Sequence, residues 1–201
     1  MQSTPRLMAG VTLIEVLMAV VIIAFGLLAL TGMQLVSKRN VLDASQRTAA
    51  AHLAQNLFEA MRANSTADAL ETYLFTAQQG LGRQRLGSAP AEDCRSISCN
   101  PLQLARYDLW VWEQQIDGAS ELYVDGTITE RTGGLVNANA CLTGPVGGGT
   151  GIYNLSIAWR GSIALPDAAS ADPQCGDGLN LYGNNEEFRR MLTVSTYIVA
   201  R

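Results

Sequence analysis

Between Glu15 and Lys38 the chain runs for 22 residues without a charge. No other stretch limits its possible folds so strongly. As a helix, residues 16–37 would extend about 33 Å, enough to cross the hydrocarbon core of a bilayer. A helix that is apolar all round and this long is rarely the core of one small domain, so membrane insertion is the expected role. Composition agrees once it is divided. The 201 residues are 48% hydrophobic and only 16% charged, but 20 of the 26 residues 11–36 are hydrophobic. The remainder has the balance of an ordinary folded domain. A formal charge of −4 argues against nucleic-acid binding by a broad basic field. His52 is the single histidine and Lys38 the single lysine. Schiff-base, histidine-metal and multi-histidine acid–base enzymes are thereby set aside, and a hydrolase triad would have to recruit His52 from the helix.

Helical spacing continues past the apolar run. Leu42, Gln46, Ala50, Leu53, Leu57 and Met61 recur on one face, no Gly or Pro interrupts residues 33–62, and Asn64-Ser65-Thr66 reads as a stop. Residues 11–36 are therefore expected as a membrane-embedded half and residues 37–64 as an amphipathic half of the same helix. Residues 65–201 form the head. Leu70, Leu74 and Leu81 hint at one weak helix, and residues 80–87, with Arg83 and Arg85, read as an exposed loop. Asn100-Pro101 offers an N-cap and first-turn proline, and Leu102, Ala105, Leu109, Trp112 and Ile116 place an inserted helix at about 101–116. Trp110, Trp112 and Trp159 are candidates for core or interface, with core favoured because their neighbours share the periodicity. Beyond residue 120 the period becomes two. Tyr153, Leu155, Ile157 and Trp159 mark one strand, and Leu192, Val194, Thr196, Ile198 and Ala200 another, with shorter candidates at 122–128 and 138–142. The expected class is α+β, a long N-terminal helix packed on an antiparallel sheet.

Residues 1–10 carry only Arg6, and the apolar run is too long for a cleaved secretory signal. Glu15, at the start of that run, is costly there and calls for a partner. The segment Ala9-Gly10-Val11-Thr12-Leu13-Ile14-Glu15-Val16 resembles the processing site of type IV prepilins and pseudopilins. In those proteins a short leader ends in Gly, a hydrophobic residue follows, and Glu stands fifth in the mature chain. Val11 stands where Phe or Met is commoner. The resemblance implies a leader of residues 1–10, cleavage between Gly10 and Val11 by prepilin peptidase, and methylation of the new Val11 amine. It also implies that Glu15 attracts the amino terminus of a neighbouring subunit during assembly, and that the head has the pilin fold.

Cys94, Cys99, Cys141 and Cys175 all lie beyond the apolar run, and an even number in an exported domain favours disulfides. Three pairings are possible. The short spacing of Cys94 and Cys99 suits a loop bridge, which would leave Cys141 for Cys175. No metal or other cofactor is expected. The glycine-rich segment 144–151 lacks the lysine of a phosphate loop and precedes a strand. Asp172, Asp177, Asn180, Asn184, Asn185, Glu186 and Glu187 could offer oxygens to calcium, but not in EF-hand order.

Residues 49–64 (AAAHLAQNLFEAMRAN) and 104–112 (LARYDLWVW) look similar to the PilV group of minor pilins. That resemblance implies a non-enzymatic, low-abundance subunit that primes pilus assembly with other minor pilins and sits at the filament tip. Its implied partners are the major pilin, prepilin peptidase, the inner-membrane assembly platform, a large tip adhesin and, before assembly, the lipid bilayer. The implied location is the bacterial inner membrane with a periplasmic head, then the extracellular pilus. A minor pseudopilin of a type II secretion system is the alternative, and a membrane-anchored periplasmic enzyme the more distant one.

Overall fold

The computed structural model describes residues 10, 12–78, 80–119, 121–131, 133–165 and 175–201. The chain divides into two compact units, Met1–Val41 and Leu42–Arg201. One helix, α1 (Leu13–Ala63), belongs to both. In the first unit every described residue is exposed, although an 18-residue window of the helix reaches a mean hydropathy of 2.8. Its length and composition suffice to cross a membrane.

In the second unit the same helix becomes one-sided. Ala50, Leu53, Ala54, Leu57, Phe58 and Met61 are buried at helical spacing. Leu42, expected on this stripe, is instead 59% exposed. Packing starts only with the half-buried Asp43 and Gln46, because the helix first meets the head through polar groups. The Asp43 carboxylate accepts from the Ser162 N–H at 3.1 Å and from its hydroxyl at 2.9 Å, and lies 3.7 Å from the Arg190 guanidinium.

After α1 come α2 (Ala67–Gln78) and α3 (Pro101–Ile116). Ala69, Leu70, Tyr73 and Leu74 of α2 are buried, as are Ala105, Leu109, Trp112 and Ile116 of α3. Leu81 lies outside α2, where its backbone bridges Ala140. Asn100 and Gln103 form a reciprocal capping box at the start of α3, the Asn100 side chain accepting from the Gln103 N–H at 2.9 Å. Loss of that acceptor in Asn100→Ala is expected to cost about 1 kcal/mol of head stability, measurable by denaturant titration. Past Ile116 the chain turns at Gly118 (φ +66°), where a Cβ would lie 1.9 Å from the Gly133 carbonyl oxygen. Only glycine fits that approach.

Among the described residues five strands follow: β1 (Leu122–Asp125), β2 (Ile128–Arg131), β3 (Asn139–Thr143), β4 (Gly151–Arg160) and β5 (Arg189–Ile198). The single strand expected at 122–128 is a hairpin, because Gly126 at φ +61° turns the chain between β1 and β2. The main sheet is antiparallel in the order β3-β4-β5. Its register aligns Ala140, Ile157 and Leu192, and then Leu142, Leu155 and Val194, on the face toward the core. The outer half of α1 packs on that sheet, and the class is α+β. The Trp112 indole N–H donates to the Leu53 carbonyl at 2.7 Å, fastening α3 to α1. Trp112 and Trp159 are buried at 3% and 2% exposure. Trp110 is only half-buried, since on α3 it points away from the stripe of Leu109, Trp112 and Ile116.

Candidate functional site

The residues expected to be processed and to dock lie at the start of α1. Gly10 is exposed and non-helical, while residues 1–9 and Val11 are outside the described residues. Glu15 stands in the first helical turn, where the helix dipole favours a carboxylate. Its side chain is exposed and makes no ion pair among the described residues. Around it Leu13, Ile14, Val16 and Leu17 are all more than half exposed. This helix end therefore presents one negative charge on an apolar rod that nothing among the described residues covers.

The head is tied by two disulfides, Cys94–Cys99 and Cys141–Cys175. The first closes a loop against α3. Within it Arg95 binds the Asp93 carboxylate through Nε at 3.0 Å and Nη2 at 3.1 Å. The Arg95 side chain and backbone N–H hold the Asp93 carboxyl down to about 2. The second disulfide joins β3 to the segment before β5. There the buried Arg189 guanidinium donates to the Cys175 carbonyl and faces Glu186.

One polar site escaped the reading of the sequence. Residues 80–87 are a clasped loop rather than a free one. Gly82 and Arg85 each donate a backbone N–H to Glu113 Oε1 at 2.9 Å, and Leu86 donates to Oε2 at 2.8 Å. Asp117 accepts the N–H groups of Arg83 and Gln84, each at 2.6 Å. Glu113 is fully buried. The signal was present: Leu109, Trp112, Glu113 and Ile116 share one helix face, so the acid stands within an apolar stripe.

The other candidates are dispersed. His52 is exposed on α1. Among the oxygen-bearing residues before β5, Asp172 lies outside the described residues, and the Glu187 carboxylate accepts the Asn185 N–H at 2.9 Å. No group of three His, Cys, Asp or Glu residues among the described residues could hold a metal ion. Arg189 is buried and Arg190 is paired with Asp43, so these two do not form a free basic patch. Segment 144–151 is a tight connection holding a short 3-10 turn, Val146–Gly148, before β4.

A family model described as type IV pilin Tt1218 (Tt1218-like) matches residues 32–110. No curated protein and no solved structure gives a match. The matched stretch runs from the end of the apolar helix half, through the buried half and α2, into α3. Over that stretch the chain is similar to type IV pilins, and its α+β architecture, a long apolar N-terminal helix on an antiparallel sheet, agrees with a pilin-like protein.

Proposed function

We propose that this chain is a minor type IV pilin of the PilV group, a structural subunit without catalytic chemistry. In this reading prepilin peptidase removes residues 1–10, and the Val11 amine is methylated. The apolar half of α1 holds the protein in the inner membrane, with the head in the periplasm. During assembly that helix moves from lipid into the filament core, beside the major pilin and other minor pilins on the assembly platform. The subunit primes the filament and stays at its tip, next to a large adhesin.

One observation supports this most directly. The apolar half of α1 is exposed on every side, and the carboxylate at its beginning, Glu15, makes no ion pair among the described residues. Lipid or neighbouring helices can satisfy the apolar surface, but lipid alone leaves Glu15 costly. A neighbour's terminal amine would compensate it, and an ion pair in such surroundings is far stronger than in water. The match over residues 32–110 supports a pilin-type partner set.

Glu15→Ala is therefore expected to leave membrane insertion intact and to reduce the amount recovered in sheared filaments by at least about tenfold. Fractionation with quantitative immunoblotting reads both effects, and normal filament incorporation would sink the docking role. Intact mass after coexpression with the peptidase checks processing. A chain beginning at Val11 with one added methyl group is expected, and retention of residues 1–10 contradicts it.

A further inference from the structure

Two adjoining hollows mark the outer side of α3. One, about 200 Å³, lies between α1 and α3, with Asn56, Ala60 and Asp108 in its wall. The other, about 410 Å³, is lined by Arg95, Trp110 and Gln114. Tyr107, Val111 and Gln115 line both, so the two hollows adjoin across this stripe of α3 as the two lobes of one groove.

Its ends differ in chemistry. Asp108 is half-buried, and one of its oxygens accepts from the Tyr73 hydroxyl at 2.5 Å. It makes no ion pair among the described residues. Burial pushes its carboxyl upward, only partly offset by the Tyr73 hydrogen bond. A carboxylate desolvated in this way is stabilised by an arriving cation. The other end is aromatic and neutral. The Trp110 indole N–H is buried with no acceptor among the described residues, and the Arg95 guanidinium stands 6.0 Å above the Tyr107 ring with its charge matched by Asp93. The Cys94–Cys99 bridge closes the loop carrying Arg95. Tyr, Trp and Arg on a pre-formed wall are the residue types that dominate binding energy at protein interfaces.

We propose that this groove receives a segment of a different pilin-type subunit, which places a basic side chain against Asp108 and an aliphatic side chain against Trp110. The proposal rests on the filament-subunit reading above, and charge complementarity selects the occupant. An unmatched carboxylate beside an apolar aromatic hollow suits a basic–aliphatic segment and disfavours an acidic one.

The test uses the full chain in cells making its own filament system, with benzoylphenylalanine replacing Gln114. Illumination is expected to link it to another pilin-type subunit, through a peptide containing Arg or Lys. Asp108→Asn keeps an acceptor for Tyr73 but removes the charge, and it should lower adduct yield about tenfold without shifting the thermal melt. An unchanged yield in that variant overturns the proposal. So does an adduct formed only with a second copy or with lipid. No adduct from a chain that still enters sheared filaments defeats the groove and leaves the filament reading standing. Absence from filaments defeats that reading, while an Asp108-dependent adduct to a pilin-type head in the membrane would still support the groove.

Discussion

Glu113→Ala is expected to destabilise the head by about 4 kcal/mol, among the largest effects of any single substitution in it. Three backbone N–H groups, from Gly82, Arg85 and Leu86, end on this one carboxylate. Each would lose its acceptor, and a buried orphan donor costs about 1–3 kcal/mol. The total falls short of three full penalties because residues 80–87 can swing into water and recover hydrogen bonds there. Two measurements separate these effects. Denaturant titration of the detergent-solubilised chain, followed by tryptophan fluorescence, reads the global loss. Hydrogen exchange at the amides of Gly82, Arg85 and Leu86 reads the local release. Unchanged protection at all three would show that Glu113 is not the clasp. Asp117→Ala should cost less, since it strands only two N–H groups and both are exposed.

Removing the Cys141–Cys175 bridge as a Ser pair is the second large effect, with an expected loss of about 4 kcal/mol. That bridge spans 34 residues of sequence, whereas Cys94–Cys99 spans only 5. In the chain-entropy view the longer closed loop restricts the unfolded ensemble more, so the shorter bridge should contribute about 2 kcal/mol. The two Ser-pair variants should therefore rank in that order in denaturation midpoint. Equal midpoints would place the contribution in native packing instead. Beside Cys175 the buried Arg189 donates to its backbone carbonyl. Loss of the longer bridge should therefore also loosen the start of β5.

How far the sequence anticipated this structure depends on the range of each signal. Local signals were legible: the Asn100-Pro101 start of α3, the stop after Ala63, and the alternation of Tyr153, Leu155, Ile157 and Trp159 along β4. Where two readings shared one pattern, the wrong one could be chosen. Residues 122–128 have strand-forming side chains throughout, yet Asp125-Gly126 is a turn signal that splits them. Trp110 and Trp112 are neighbours in sequence, but on a helix two positions separate them by more than half a turn, so only Trp112 reaches the core. The clasp at Glu113 was the least legible feature. Its partners lie 27 to 31 residues away, and no local propensity encodes a carboxylate meeting distant backbone N–H groups. For the beginning of α1, where docking is proposed, the case is reversed. Gly10, Val11 and Glu15 form a motif in the sequence, while the structure contributes the exposure of Glu15, which no described residue covers.

Under the filament-subunit proposal, the bond from the Trp112 indole to the Leu53 carbonyl has a mechanical meaning. Arg62 is joined to Thr196 farther along α1, and Asp43 to Ser162 nearer its beginning. Between them Ala50, Leu53, Leu57 and Met61 are embedded in the core. A pull along the helix axis loads these attachments side by side, in shear, rather than peeling them away one at a time. The head would yield only when the whole row gave way together. Resistance to traction would thus be distributed over about five turns of one helix, from Asp43 to Arg62, and no single contact would have to bear it.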